Sequence, residues 1–212
     1  MRRFSLGLIL ALVLLSDSAT VSADEVALKS HETASVQTPL AAGAEFWRKR
    51  AEQGEPAAQL FLGLRFYEGN GILQNYAEAA KWFRKAAEQG DAKAQFYLAA
   101  MYAAGQGVPE DEVEAAKWRR KAAVQGYAEA QFVLGYMYAR GHGVTQDDVE
   151  AVTWYRKAAD QGNAEAQTQL GYMYYKGRGV RHDTAEAVKW WRKAAEQGDS
   201  GAQAFLAKSG TR

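Results

Sequence analysis

The sequence predicts an all-α solenoid built from paired helices in 36-residue units. Three observations carry this. Gln59, Gln95, Gln131, Gln167 and Gln203 recur at a constant interval of 36 residues, as do Trp82, Trp118, Trp154 and Trp190. Gly-x-Gly turns beginning at Gly69, Gly105, Gly141 and Gly177 keep the same interval. Between these marks the apolar residues return with helical period: Ala130, Leu134 and Tyr138 lie at i, i+4 and i+8, on one helical face. A fixed period of this size, with no unit able to bury both of its faces alone, is the signature of a stacked repeat array.

The chain has 212 residues, and its first 23 read as a secretory signal peptide. Arg2 and Arg3 form a basic start, Phe4 to Leu15 an apolar run, and Val21-Ser22-Ala23 a small-residue cleavage site. The apolar run is too short to span a bilayer, so no stable membrane insertion is expected after cleavage. The expected location is outside the cytoplasm, in the periplasm or beyond the cell. Residues 24–38 read as a flexible lead-in, polar and without period. His31 lies within it. A repeat domain then occupies 39–212. It comprises a half unit at 39–54, full units at 55–90, 91–126, 127–162 and 163–198, and a closing helix in 199–212.

Each unit reads as two helices. In the third unit the first helix runs from Ala128 to Arg140. Asp91, Asn163 and Asp199 suit its N-cap, and Pro56 its first turn. The first glycine of each turn fits the left-handed residue that ends a helix. Gly135 marks a place where the second helix approaches closely. Asn75, Asp111, Asp147 and Asp183 cap the second helix, and Glu78, Glu114, Glu150 and Glu186 follow three residues later. That spacing is a capping box. Ala79, Trp82 and Ala86 define a buried stripe in the first unit, so the four aligned tryptophans are expected to form a continuous internal ladder.

Composition narrows the function. Removing Arg2, Arg3 and Asp17 from 26 basic and 25 acidic residues leaves 24 of each, which gives no basic surplus for nucleic acid. There is no cysteine; the fold holds without disulfides, and thiol chemistry is absent. The segment Arg140–Asp148, RGHGVTQDD, resembles a small reactive site when read alone. Against GNGILQN, GQGVPED and GRGVRHD it is one of four turns, each followed by a helix cap. His142 and His182 fall in neighbouring turns at non-equivalent places, and a metal site needs three or four ligands with support. No catalytic residue, metal or cofactor is therefore expected.

The repeated AQFVLGYMYARGHGVTQDDVEAVTWYRKAADQG resembles a unit of the Sel-one-like repeat family, relatives of the tetratricopeptide repeats. Departures are Ala99 for the glycine at 63, 135 and 171, Phe66 for tyrosine and Ile72 for valine. The resemblance implies a right-handed α/α superhelix of antiparallel helices that serves as a scaffold or adaptor. Cysteine-rich relatives linked to penicillin binding or hydrolysis carry paired cysteines, which this chain lacks.

A helical wheel centred on Leu62 places positions 57, 60, 64 and 67 on the opposite face, the side that lines the groove in related solenoids. The aromatic or leucine at 60, 96 and 132 belongs to the family pattern and reads as packing, and Met101, Met137 and Met173 read as seam fillers. Leu64, Tyr67, Tyr136, Tyr172 and Tyr175 are the informative positions for a partner, with Arg140 and Lys176 beside them. The expected function is a non-catalytic scaffold of the bacterial envelope, monomeric, taking a protein or peptide segment in this groove. The alternatives are a glycan or peptidoglycan-binding module and, further off, a cell-wall hydrolase.

Overall fold

A computed structural model describes residues 39–208; the signal peptide, the lead-in and residues 209–212 lie outside the described residues. Ten helices follow one another among the described residues, with no strand. Helix α1 (Pro39–Glu52) is the half unit. The four full units pair α2 (Pro56–Glu68) with α3 (Tyr76–Glu88), α4 (Ala92–Ala104) with α5 (Glu112–Val124), α6 (Ala128–Arg140) with α7 (Asp148–Asp160), and α8 (Ala164–Lys176) with α9 (Thr184–Glu196). Helix α10 (Ser200–Lys208) closes the array. Each helix packs on its immediate neighbours in sequence, the arrangement of a solenoid.

The helix ends follow from local chemistry. Asn75, Asp111, Asp147 and Asp183 each accept a hydrogen bond from the amide three residues on, at 2.9–3.0 Å. Only half of the expected capping box forms. The glutamates turn forward instead: Glu78, Glu114 and Glu186 pair with the lysine one turn later, and Glu150 accepts from Trp154 Nε1 at 3.1 Å. The backbone amide of each cap is already donated to a carbonyl of the unit's first helix, Phe66, Tyr102, Tyr138 or Tyr174, at 2.9–3.0 Å, so it is not open to the glutamate. Asp91, Asn163 and Asp199 cap the first helices as expected, each accepting from the amide three residues on at 2.7 Å. Tyr127 has no capping side chain, and in the first unit Pro56 takes the opening turn.

The glutamine period has a physical reason. Gln95 Nε2 donates to the carbonyl of Ala87 in the preceding unit at 3.0 Å, and its Oε1 accepts from Gln125 Nε2 at 2.8 Å. Gln59, Gln131 and Gln167 make the same pair of bonds. All four glutamines are buried at 3–4% exposure. Each one adds a second bond to a helix C-terminal carbonyl that already accepts from the amide of the closing glycine, and so joins two units.

The tryptophan ladder is corrected by the structure. Trp154 and Trp190 are buried, but Trp82 and Trp118 are only half-buried. A lysine three residues on lies over each ring, at 3.8–4.3 Å from its centroid. The innermost position is the next residue: Phe83, Arg119, Tyr155 and Trp191, all at 0–1% exposure. In the first unit the buried stripe is Ala79, Phe83 and Ala86, spaced i, i+4 and i+7; the tryptophan sits 100° to one side of its centre. Trp47, at the equivalent place in α1, extends the row. Trp47 packs on Phe61, Phe83 stacks on Tyr97 and Trp191 stacks on Phe205, with centroids 4.7, 5.2 and 4.9 Å apart.

Gly63, Gly135 and Gly171 exist for this row. A Cβ there would stand 2.4–2.7 Å from Phe83, Tyr155 and Trp191 respectively. In the second unit both positions change together: Ala99 takes the place of the glycine and Arg119 that of the aromatic ring. That arginine is fully buried. Its Nη1 lies 3.4 Å from Met137 Sδ, while Nε and Nη2 have no hydrogen-bond partner. Burial pulls its guanidinium down to about 10, opposed by Glu112, whose own Oε2 is buried without a partner.

Candidate interaction face

The first helices of the units carry the residues singled out for a partner, and the turns that end them set the rim. The first glycine of each turn is left-handed, with φ of 62–73°. The second packs on the preceding unit. A Cβ on Gly107, Gly143 or Gly179 would stand 2.0–2.3 Å from backbone of Tyr76, Glu112 or Asp148. The turn is thereby laid across the N-terminus of the second helix one unit back.

This placement gives the middle residue of the turn a reach that its variability conceals. Gln106 accepts from Tyr67 Oη at 3.2 Å. Arg178 donates from Nε and Nη2 to the two carboxylate oxygens of Asp148, at 3.0 and 2.5 Å, and from Nη2 to the Ala139 carbonyl at 3.3 Å. The bidentate bond to Asp148 holds the Arg178 guanidinium above its ordinary range. His142 stacks on Tyr136, with ring centroids 6.0 Å apart and planes at 24°.

The predicted residues fall into two groups. Leu64 and Tyr67 are half-buried against the core of the first two units; Tyr67 packs on Tyr76, Phe83 and Tyr97, and burial raises its pKa. Tyr136 and Tyr172 are half-buried against the core of the third and fourth units, and Tyr172 lies 6.0 Å from the Phe205 ring. Tyr175 is 38% exposed, resting on Trp191 at 5.6 Å. Arg140 and Lys176 are exposed. Their charged groups sit over Tyr136 at 5.7 Å and Tyr175 at 5.2 Å. The second unit interrupts the row with Ala100 and Ala103. Phe96 and Phe132 are buried, as are Met101, Met137 and Met173.

Reasoning from sequence missed Gln106, Arg178 and Arg119. A varying residue between two constant glycines looks like a spacer until the turn is seen resting on its neighbour. Arg119 was marked by a double departure: the glycine and the large aromatic are both missing from the same unit. Among the described residues no three of His, Cys, Asp and Glu come together as a metal site would require, and no helix is long and apolar enough to cross a membrane.

The comparisons agree with the repeat. The sequence pattern of the Sel1 repeat matches four times, at residues 56–91, 92–127, 128–163 and 164–199. A protective antigen of uropathogenic Escherichia coli strains with an SLR fold is similar at 41% identity over 79% of this chain, with a TM-score of 0.75. The chain spans only 36% of that protein. A Sel1 repeat protein from Oxalobacter formigenes is similar at 39% identity, over 80% of this chain and 72% of that one, with a TM-score of 0.73. Cysteine-rich protein B of Helicobacter pylori, at 24% identity and a TM-score of 0.50 over 63% of this chain and 96% of its own, shares the fold. No protein with a curated description matches.

Proposed function

The chain belongs to the Sel1 repeat family, and from that premise we propose that it is an exported, non-catalytic scaffold that holds a segment of a partner protein against its first helices. Sel1 repeats typically mediate protein–protein interaction. The single observation that carries the specific reading is the composition of this face in the third and fourth units. Tyr136, Tyr172 and Tyr175 stand there beside Arg140 and Lys176, where a solvated helix face would be polar. Tyrosine and arginine are the residue types that anchor protein interfaces. Location in the envelope rests on the N-terminal signal pattern. A short apolar run and a small-residue cleavage site favour release into the periplasm or medium over anchoring.

The test is capture from envelope extract by the wild type and by a Tyr172→Ser/Tyr175→Ser variant, with circular dichroism as the control for folding. The expected outcome is loss of a specific protein band with helicity unchanged. Equal capture by two folded proteins removes the groove reading. Retention on purified peptidoglycan, lost in the variant, would move the function to glycan binding.

A further inference from the structure

The rim of this face carries a charge gradient along the array. At the last residue of the first helix the successive units have Glu68, Ala104, Arg140 and Lys176, the two cations and Glu68 being exposed. In the turn, the second unit adds exposed Glu110, while the fourth adds exposed Arg181. Arg178 is neutralised by Asp148. Arg140, Lys176 and Arg181 make no ion pair among the described residues. The nearby carboxylates of Asp147 and Asp183 are each turned onto helix amides as caps. In the first unit Arg65, which donates to the Asn70 carbonyl of the turn at 3.0 Å, offsets Glu68; the rim thus runs from a balanced first unit through an acidic second to the basic third and fourth.

The cations at the basic end are held against rings. Arg140 and His142 both lie on Tyr136, and Lys176 and His182 both lie near Tyr175. A cation resting on an aromatic face loses part of its side-chain freedom before any ligand arrives, which lowers the ordering cost of binding.

We propose that this face takes an acidic protein segment, polarised so that its carboxylates lie over the third and fourth units and its uncharged part over the first two. The inference rests on the protein-binding reading above and adds the chemistry and direction of the partner. A uniform polyanion laid along the whole rim would meet Glu110 and Glu68. A protein segment can carry its acidic residues at one end only. Complementary charge of this kind sets register and speeds encounter.

The test is selection of displayed peptides on the immobilised full chain, from a library balanced in acidic and basic residues. It runs in parallel on an Arg140→Glu/Lys176→Glu/Arg181→Glu variant and on a milder variant with glutamine at the same three positions. The wild type is expected to enrich peptides with an acidic surplus grouped at one end. The charge-inverted variant should lose that surplus, and the glutamine variant should bind the selected peptides about tenfold more weakly. Raising salt from roughly 0.05 to 0.5 M should weaken wild-type binding about tenfold, by screening exposed charges. Glu68→Lys should leave binding unchanged or stronger. Enrichment without an acidic surplus, or the same peptides from wild type and inverted variant, overturns this proposal and leaves the protein-binding reading standing. No enrichment on any form overturns both. Binding of an acidic oligosaccharide with no peptide enrichment assigns the rim to a glycan and overturns both as well.

Discussion

The second and fourth units share their scaffold and differ at the centre. Both have helices of 13 residues, a left-handed glycine after the first helix, an aspartate cap on the second and the same glutamine bridge to the unit before. In the fourth unit the centre is Trp191, packed flat on Phe205, seated against Gly171, and donating its Nε1 to the Thr168 carbonyl at 3.1 Å. In the second it is Arg119, with Ala99 at the glycine position and two nitrogens unpartnered. Repeat geometry is therefore carried by caps, glycines and glutamines; the interior residue is free to change provided that its facing residue changes with it. A buried charge without full hydrogen bonding is destabilising, so the second unit should be the weak link of the array.

The largest expected effect breaks the strong side of this comparison. Trp191→Ala should lower stability by about 3–5 kcal/mol and release α10, seen as lost helicity and an earlier urea midpoint. Trp118→Ala, at a half-buried position, should cost only about 1–2 kcal/mol. Equal costs would restore the aligned tryptophans as the true ladder. The next effect repairs the weak side. Arg119→Phe with Ala99→Gly should stabilise by about 1–4 kcal/mol, read as a raised urea midpoint. A fall in stability would show that the guanidinium is better satisfied than its contacts indicate. Ala99→Gly is part of the design because an aromatic ring at 119 needs the space that a Cβ would occupy.

Smaller effects sharpen what the two units share. Gln95→Ala and Gln167→Ala each remove two side-chain hydrogen bonds from a buried joint, while the carbonyl of the previous unit keeps its bond to the closing glycine, and each should cost about 1–2 kcal/mol. Equal values support a common clamp, and unequal ones would mean that the interior residue modulates it. The caps come last. Asp111 accepts from two amides, Val113 and Glu114, whereas Asp183 accepts from Glu186 alone. Alanine at 111 should cost about 1 kcal/mol, and at 183 somewhat less, measured by thermal unfolding.

Much of this was legible in the sequence, because repetition averages away local accident. Four copies of one turn made Gly141 a helix stop and Asp147 a cap, and the bounds of α6 coincide with those read from periodicity. The interior was read one residue out of place. Tryptophan is invariant across the copies and large, while the true central position holds Phe, Arg, Tyr and Trp and so looks unconstrained. Its constraint lies in a partner 20 residues upstream, a glycine whose missing Cβ only three-dimensional contact explains. The face was legible as a list of residues. Half-burial of Leu64, Tyr67, Tyr136 and Tyr172 was not, since a wheel built on one helix cannot show what the next unit covers.

The second glycine of each turn has a consequence for how such a chain grows. Where Gly107, Gly143 and Gly179 touch the unit before, they meet main-chain atoms rather than a particular side chain. Main chain is the same everywhere, so the glycine contact does not depend on which unit it rests on; only the residue between the glycines reads its neighbour, as Arg178 does Asp148. A duplicated or deleted block of 36 residues would find the same main-chain seat on either side, and at each new seam only the contact of the middle turn residue would have to be remade. Any polarity of the rim would then be a matter of which blocks were placed last, and extension at the C-terminal end would lengthen its basic stretch while the joints stayed as they are.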